Sequence, residues 1–210
     1  MSREGAWPYA EIAERFASAF LLVVFGPVLF GAALWIFILS GRTPWIAHRR
    51  VGRYGNALWV PKLRTMWDCR DRLTPLSRLF SIEYIDDEGG PALKSPEDGR
   101  VASRFARFCR RHSLDEFPQL ILVLTGRMSL VGPRPVTLRE LALIYGPDAD
   151  TILIAKPGLS GLWQVSGRNR LTCSERRTLD LQSVRNRSWR LYLAILVRTI
   201  PEVLSGRNTW

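Results

Sequence analysis

The hydrophobic and polar positions divide the chain into one long apolar run and a more polar remainder. No charged residue occurs between Phe16 and Gly41. A helix over this run, with a rise of ~1.5 Å per residue, is longer than the ~30 Å hydrocarbon core of a bilayer. Gly26 and Pro27 lie near its centre, and a proline inside a helix removes a backbone hydrogen bond and bends the helix. The run therefore predicts a membrane element that either spans with a bend or re-enters on the side from which it came.

Beyond the apolar run, the pattern predicts short strands or loops over residues 42–80 and a Gly- and Pro-rich loop over residues 83–100. Residues 101–125 contain two helical patterns separated by the segment RHSLDEFP. The tail from Ser174 to Leu204 is predicted to be helical, with basic side chains opposite aromatic and aliphatic ones. Such a helix either lies in a membrane interface or packs as an ordinary helix with a solvated basic face, and the pattern leaves both open.

The chain is strongly basic, with 30 Lys and Arg residues against 19 Asp and Glu residues and a net charge of +11. This balance favours anionic partners such as phospholipid head groups, nucleic acid or phosphorylated substrates. The apolar run shifts the expectation from nucleic acid to lipid. The segment before the run mixes acidic and basic residues, which is not the pattern of a cleaved signal peptide. The basic flank from Arg42 to Arg53 is expected on the cytoplasmic side by the positive-inside rule.

Common catalytic and metal-binding motifs are absent from the sequence. It contains no Walker A, GxGxxG or HExxH motif. Cys69, Cys109 and Cys173 form no CxxC pair, so neither a disulfide framework nor a zinc site is expected.

The segment SLDEFPQL contains an adjacent pair of acids, Asp115 and Glu116. Pro118 follows at a position that the first turn of a helix tolerates, which predicts Asp115 as the N-cap. At that position the helix dipole favours an ionised carboxylate. The pair is therefore either a helix cap with a neighbouring surface acid, or a carboxylate nucleophile or metal ligand with a second acid beside it.

Basic residues in three segments are candidates for phosphate binding. The segment SLVGPRP places Arg134 between two prolines, which restrict the backbone and present a guanidinium suited to a phosphate or diphosphate. In the segment PKLRTM, Lys62 and Arg64 share one face if the chain is extended. Arg110 and Arg111 belong to the basic helical pattern before the acidic pair. For each of these residues, a solvent-exposed basic side chain is the alternative.

Four motifs follow the proline-interrupted apolar run in the order PKLRTM, SLDEFPQL, MSLVGPRP and KPGLSGLWQVSGR. With these motifs over residues 16–205, the chain resembles the bacterial sugar transferases, the monotopic phosphoglycosyl transferases. The resemblance implies a mostly helical α/β fold. Residues 1–41 would form a lead-in and a re-entrant membrane helix broken at the proline, and residues 42–210 a cytoplasmic catalytic domain with interfacial amphipathic helices. It implies a location at the cytoplasmic face of the bacterial inner membrane. The expected partners are membrane phospholipids and not nucleic acid, and both a monomer and a homodimer remain possible.

The resemblance also implies a reaction. Members of this family transfer a sugar-1-phosphate from a UDP-sugar to a polyprenol phosphate, usually undecaprenyl phosphate, at the start of surface glycan and exopolysaccharide synthesis. Carried over to this chain, Asp115 attacks the β-phosphate, expels UMP and holds a covalent phosphosugar that the lipid phosphate then accepts. Glu116 is its acidic partner, and Mg²⁺ bridges Asp115 and the diphosphate. Arg134 binds phosphate, supported by Lys62 and Arg64.

The chain departs from the family pattern at a few positions. Arg127 stands where the family usually has an acid, and the C-terminal helix lacks the usual Tyr near Ser183 and the usual Asp near Tyr192. These departures leave the acidic pair and the Pro-Arg-Pro loop intact. The sequence does not name the sugar. Two other classes stand as rivals: a non-catalytic, membrane-anchored basic scaffold of a glycan assembly system, and a nucleic-acid binder, which the lack of a binding motif disfavours.

Overall fold

A computed structural model describes residues 10–67, 75–86 and 103–205 of the chain. The described part is mostly helical with two small sheets, as an α/β fold requires. The helices are α1 (Ala10–Ser40), α2 (Arg104–Arg111), α3 (Leu120–Leu124), α4 (Leu138–Glu140), α5 (Ala149–Leu153), α6 (Leu162–Val165), α7 (Cys173–Arg185) and α8 (Trp189–Ser205). The strands are β1 (Trp45–Val51), β2 (Ala57–Leu63), β3 (Ile82–Ile85), β4 (Ser129–Val131) and β5 (Gly158–Ser160).

The long apolar run forms one continuous helix, α1, of 31 residues. Among the described residues it is the one helix long and apolar enough to cross a membrane. The helix continues through Gly26 and the exposed Pro27, so the proline does not divide it into two helices. Helical structure therefore continues through the proline, while the predicted bend at Pro27 and the choice between a re-entrant and a spanning helix stay predictions.

The first half of α1 is anchored to the rest of the protein by a buried carboxylate. Glu14 is 4% exposed and accepts hydrogen bonds from the Ser129 hydroxyl at 2.6 Å, the Leu130 amide at 3.1 Å and the Tyr192 hydroxyl at 2.7 Å. A buried carboxylate needs such partners, because water is excluded from it. The helix start is thereby tied to β4 and to α8 at the same point.

The second half of α1 is anchored by apolar packing. Ala33 and Ile36 are fully buried and belong to a cluster with Leu63, Trp67 and Ala106. Both halves of α1 therefore rest on the same body of the protein, and the helix contributes directly to its core.

The opposite faces of α1 and of α8 expose large apolar side chains. Contiguous apolar surface of this kind marks a binding or membrane face in a folded protein. On α8 the exposed residues recur at helical spacing, while Tyr192 and Ile195 are buried on the other side. We call the two exposed sets the α1 stripe and the α8 stripe. They consist of Ile12, Phe16, Phe20, Val23, Val24, Val28, Phe30, Leu34, Trp35 and Ile38 on α1, and of Trp189, Leu193, Val197, Ile200 and Leu204 on α8.

The predicted helical tail is correct in type but consists of two helices, α7 and α8. α8 has both a packed face and an exposed apolar stripe, and its location in a membrane interface stays a prediction. The predicted loop at residues 83–100 is wrong at its start, because residues 83–85 belong to β3, which pairs in parallel with β1. The remainder of that prediction, residues 87–100, lies outside the described residues. Cys109 and Cys173 are free thiols, and Cys69 also lies outside the described residues.

The larger sheet has the strand order β2-β1-β3, with β1 antiparallel to β2. The smaller sheet pairs β4 and β5 in parallel. The two backbone segments stay close together just past the end of β4. There the Gly132 amide donates to the Ser160 carbonyl, and the Gly158 amide donates to the Pro133 carbonyl, both at 2.8 Å. A Cβ on Gly132 would lie 2.5 Å from the Lys156 carbonyl oxygen, which is well inside van der Waals contact. Glycine is therefore required here for close approach of the backbones.

We expect Gly132→Ala to destabilise the protein by about 1–3 kcal/mol, because the added methyl group forces two paired backbones apart. The measurement is thermal unfolding in detergent micelles, followed by circular dichroism. Gly31→Ala is the matched control, since a Cβ there meets nothing within 4 Å and alanine is the better helix former. Equal melting temperatures for the two variants would contradict the close-packing argument.

Candidate active site

The candidate site lies where β2 ends and the acidic pair begins. Residues Leu114–Gln119 form a 3₁₀-helix, which packs against β2, the strand that carries Lys62 near its end. Ser113 turns the chain into this helix with a φ of 54°, a left-handed conformation that few residues other than glycine adopt. Such backbone conformations cluster at functional sites, because they hold side chains where a regular element would not.

The carboxylate of Glu116 is the centre of the site. Its Oε1 atom accepts a hydrogen bond from Lys62 Nζ at 2.8 Å and one from Arg134 Nη2 at 2.7 Å. Its Oε2 atom accepts from Arg134 Nη1 at 3.3 Å, so the guanidinium and the carboxylate meet as a two-pronged pair. Only 14% of the Glu116 side chain is exposed, and its charge is therefore compensated by protein groups more than by water.

The charges of this cluster support one another. Burial by itself would raise the pKa of Glu116, but Arg134 and then Lys62 outweigh it and hold that pKa well below its usual range. Glu116 in turn raises the pKa of Arg134. Glu116 is therefore a carboxylate at neutral pH, and it holds two cations in place as an acceptor.

The Pro-Arg-Pro loop is held on both sides by backbone contacts. Before it, Gly132 and Pro133 bond to the β5 segment. After it, Val136 forms a bridge with Val51 at the end of β1. Thr137 then begins α4 with a reciprocal capping box to Glu140. The guanidinium of Arg134 is consequently presented from a fixed backbone, as the two prolines predict.

Asp115 lies in the first turn of the 3₁₀-helix and is half-buried. The prediction that it is the N-cap is wrong, because Ser113 occupies that position and its side chain does not cap the helix. The carboxylate still lies among cations, since its charge acts to raise the pKa of both Arg134 and Arg168. Burial and then the charge of Asp115 raise the pKa of Cys109 to about 11, so that thiol is no nucleophile at neutral pH.

Arg168 is a site residue that sequence reasoning did not single out. It begins a short 3₁₀-turn, Arg168–Arg170, with a φ of 49°. One of its guanidinium nitrogens, Nη2, lies 3.4 Å from the Ser113 hydroxyl. The other, Nη1, is buried and has no hydrogen-bond partner among the described residues. Arg168, Ser113 and Glu116 line one cavity, so the guanidinium lies beside the acidic pair. Burial lowers the pKa of Arg168, and the charge of Glu116 opposes that effect. The only sequence signal for Arg168 was its position at the end of the motif KPGLSGLWQVSGR. A local pattern does not show which basic residue of a loop is buried in the site.

The other predicted phosphate ligands are placed differently. Arg64 is buried, and it donates to the Thr43 carbonyl at 2.7 Å and to the Glu83 carboxylate at 2.5 Å. Arg64 lies just past the end of β2. The strand alternation that places residues two apart on the same face therefore does not extend from Lys62 to Arg64. The structure does not bring Arg64 to Glu116. Arg110 and Arg111 end α2 shortly before the acidic pair, the first half-buried and the second exposed, and their role stays a prediction.

Two positions where the chain departs from the family pattern lie in the packing between helices. The Ser183 hydroxyl is buried and donates to the Asp180 carbonyl at 2.8 Å within α7. The Tyr192 hydroxyl donates to Glu14, so this tyrosine ties α8 to α1. Arg127, the third departure, is exposed.

Metal binding by protein groups alone is not indicated in the described part of the chain. In residues 10–67, 75–86 and 103–205, no three His, Cys, Asp or Glu side chains are grouped as an ion would require.

Comparison with known proteins finds one family profile and several relatives that are similar to this chain. A sequence profile described as bacterial sugar transferase matches residues 7–206. The chain is 35% identical over 196 residues to the exopolysaccharide production protein ExoY of Rhizobium meliloti, covering 92% of this chain and 84% of that protein. It is 34% identical over 205 residues to a UDP-glucose:undecaprenyl-phosphate glucose-1-phosphate transferase of Caulobacter vibrioides, covering 92% of this chain and 69% of that protein.

A longer relative shows the same likeness over part of its length. The chain is 40% identical over 191 residues to an undecaprenyl-phosphate galactose phosphotransferase of Salmonella typhimurium. The match covers 89% of this chain but 38% of that protein.

We expect Glu116→Gln to lower the free energy of unfolding by about 3 kcal/mol, because it leaves the Lys62 and Arg134 charges poorly compensated in a buried place. Thermal unfolding at pH 7 measures the effect. The pKa of Glu116 is lowered in the folded state, so its contribution is present above the unfolded pKa of about 4.3 and is lost as the pH falls through the folded value. The difference from wild type should therefore be complete at pH 7 and shrink below about pH 4.

The control is Asp86→Asn, which removes an ion pair with Arg49 whose side chains are 38% and 49% exposed. We expect it to cost under about 1 kcal/mol, as exposed ion pairs do. Equal losses for the two variants would show that the Glu116 cluster is not a special stabilising feature.

Proposed function

The chain belongs to the bacterial sugar transferase family and is a phosphoglycosyl transferase, and we propose that it transfers a sugar-1-phosphate from a UDP-sugar to undecaprenyl phosphate. The observation that carries this proposal is the acidic pair set among cations. Glu116 gathers Lys62 and Arg134, and Asp115 lies next to it along the chain. A diphosphate needs such a concentration of fixed positive charge, and a carboxylate beside it is positioned to react.

In the proposed first step, an oxygen of Asp115 attacks the β-phosphorus of the UDP-sugar. The new bond joins the Asp115 carboxylate to the phosphorus, and the bond between phosphorus and the bridging oxygen breaks. UMP leaves with the electron pair of that bond. Arg134 and Arg168 are near enough to Asp115 to interact with its charge, and we assign them the stabilisation of the negative charge that develops on the phosphate oxygens.

In the second step, an oxygen of the lipid phosphate attacks the same phosphorus and displaces Asp115. The product is a polyprenyl diphosphate sugar, and the free carboxylate is restored. Glu116 takes no covalent part in this scheme. Its lowered pKa keeps it ionised through both steps, so Lys62 and Arg134 retain their positions while substrates exchange.

Mg²⁺ is the cofactor that we propose for the reaction. Both oxygens of Glu116 accept hydrogen bonds from Lys62 or Arg134. We assign the ion to Asp115, the half-buried carboxylate next to Glu116 in the same 3₁₀-helix. A single carboxylate together with substrate phosphate oxygens and water is a common magnesium environment. When bound there, the ion would neutralise charge on the diphosphate.

The packing of α1 supports a re-entrant rather than a spanning placement. A straight helix that crosses a bilayer has its two ends separated by the ~30 Å hydrocarbon core. In this protein, Glu14 near one end and Ile36 near the other both contact the same body. We propose that α1 and α8 lie with their exposed stripes toward lipid at the cytoplasmic face of the inner membrane.

The reaction is tested by UMP release from a panel of UDP-sugars, with Mg²⁺ and undecaprenyl phosphate present. We expect Asp115→Asn to reduce lipid-dependent release by about 1,000-fold or more, because the amide cannot attack phosphorus. Asp86→Asn, an exposed change of the same kind, should leave release within about twofold. Normal release by a folded Asp115→Asn protein would refute Asp115 as the nucleophile. No release by the folded wild type with any UDP-sugar would favour the non-catalytic scaffold.

The placement of α1 is tested with a cysteine added at the N-terminus of a variant whose three cysteines are replaced. Intact cells are treated with a membrane-impermeant maleimide that reaches only the periplasm. The re-entrant placement predicts labelling only after the cells are lysed, since both ends of α1 lie on the cytoplasmic side. Labelling in intact cells would refute it and establish a spanning helix.

A further inference from the structure

An apolar cavity of about 390 Å³ opens beside the candidate active site. Its volume lies within the ~300–1,000 Å³ range of small-molecule sites. The cavity is bounded by α1, α3, the β5 strand and α8, and its walls are almost entirely aliphatic. The residues that define its shape are Leu21, Leu120, Leu159, Leu196, Ile200 and Leu204.

The inner end of the cavity is polar and belongs to the active site. Ser113, Glu116 and Arg168 line it there. The Nη1 atom of Arg168 is buried without a hydrogen-bond partner among the described residues, and a buried guanidinium nitrogen in that condition is costly unless a ligand accepts from it. The inner end therefore suits an anion.

The hydroxyl groups in the cavity wall are already satisfied. Ser160 and Thr199 are hydrogen-bonded to each other at 2.6 Å, and Thr199 also donates to the Ile195 carbonyl at 2.7 Å. These two groups need no polar partner from a ligand. Gln164 also lines the cavity, and its buried Oε1 atom has no hydrogen-bond partner among the described residues. Apart from Gln164, the wall between the polar end and the mouth presents an apolar surface to any occupant.

The mouth of the cavity is continuous with the lipid-facing side of the protein. Ile200 is 60% exposed and Leu204 70% exposed, and both belong to the α8 stripe. Across the mouth, Leu21 lies on α1 beside Phe20 of the α1 stripe. An apolar chain could pass from the membrane into the cavity without crossing water.

We propose that this cavity binds the first isoprene units of the lipid acceptor, with the acceptor phosphate at Arg168. The proposal rests on the proposed function, which requires a lipid phosphate to reach Asp115. An apolar wall directly adjoining a cation matches a prenyl phosphate, in which the phosphate is attached to the hydrocarbon chain itself. A diacyl phospholipid fits less well, because a polar glycerol ester region separates its phosphate from two chains. The cavity thus orients the acceptor oxygen toward the phosphosugar on Asp115.

Direct binding is tested with a farnesyl phosphate that carries a diazirine in its chain, using the full-length protein in phosphatidylglycerol nanodiscs. We expect cross-links at Leu196, Ile200 and Leu204 of α8 and at Leu21 of α1, which line the cavity, and we expect unlabelled farnesyl phosphate to compete. Cross-links confined to Leu193 and Val197, outside the cavity, would overturn the proposal. Equal competition by phosphatidic acid would also overturn it, because the site would then take any lipid phosphate.

A pair of tryptophan variants on α8 tests the role in turnover. Ile200→Trp narrows the mouth, and we expect it to raise the KM for undecaprenyl phosphate by about fivefold or more. UMP formed in a single burst without lipid should be unchanged, since the donor site is intact. Val197→Trp, an exposed position on the same helix that does not line the cavity, should leave the KM within about twofold. An unchanged KM in Ile200→Trp, or an equal rise in both variants, would refute the proposal.

The two measurements separate this inference from the proposed function. If the wild type releases UMP from no UDP-sugar but the farnesyl probe labels the cavity, the lipid site stands and the donor assignment fails. If UMP is released normally while the probe labels only the outer stripes, the reaction stands and the cavity has another occupant.

Discussion

The ion cluster around Glu116 is the interaction on which the rest of the site depends. It joins the end of β2, the 3₁₀-helix after α2 and the Pro-Arg-Pro loop, three segments that are far apart in the sequence. A carboxylate with so little access to water is stable only while its cations stay in place. The same bonds therefore hold the site together and concentrate positive charge beside Asp115. Under the proposed function, stability and phosphate recognition come from this one set of contacts.

The membrane element is built into this arrangement. Leu63, adjacent to Lys62 on β2, packs with Ile36 of α1, and Phe117, adjacent to Glu116, meets Phe25 of α1 edge-on with ring centroids 5.0 Å apart. The long apolar helix α1 thus directly supports the candidate site. Under the proposed function, this contact brings the acidic pair close to a lipid-facing helix, so that a water-soluble donor and a lipid acceptor can meet there.

Local chemistry explains which site residues were predictable. Asp115 and Glu116 are neighbours in the chain, and Arg134 is restrained by its own prolines, so short motifs indicated them. Lys62 and Arg64 looked equivalent in PKLRTM, yet one bonds to Glu116 and the other to Glu83, since the strand ends between them. The location of Arg168 in the site depends on a left-handed backbone turn and on burial against segments far away in the chain. Neither feature is visible in a local sequence pattern.

The sequence by itself determined the long apolar helix, the acidic pair, the rigid arginine loop and the family, because each of these follows from adjacent residues. Tertiary structure alone decided that Glu14 and Ile36 anchor both halves of α1 to one body, that β3 joins the sheet, and that Pro27 leaves the helix whole. It also decided which cations reach Glu116 and where an apolar cavity opens beside Arg168. These outcomes depend on which buried groups satisfy each other across long separations in the chain, and that competition is settled only when the whole chain packs.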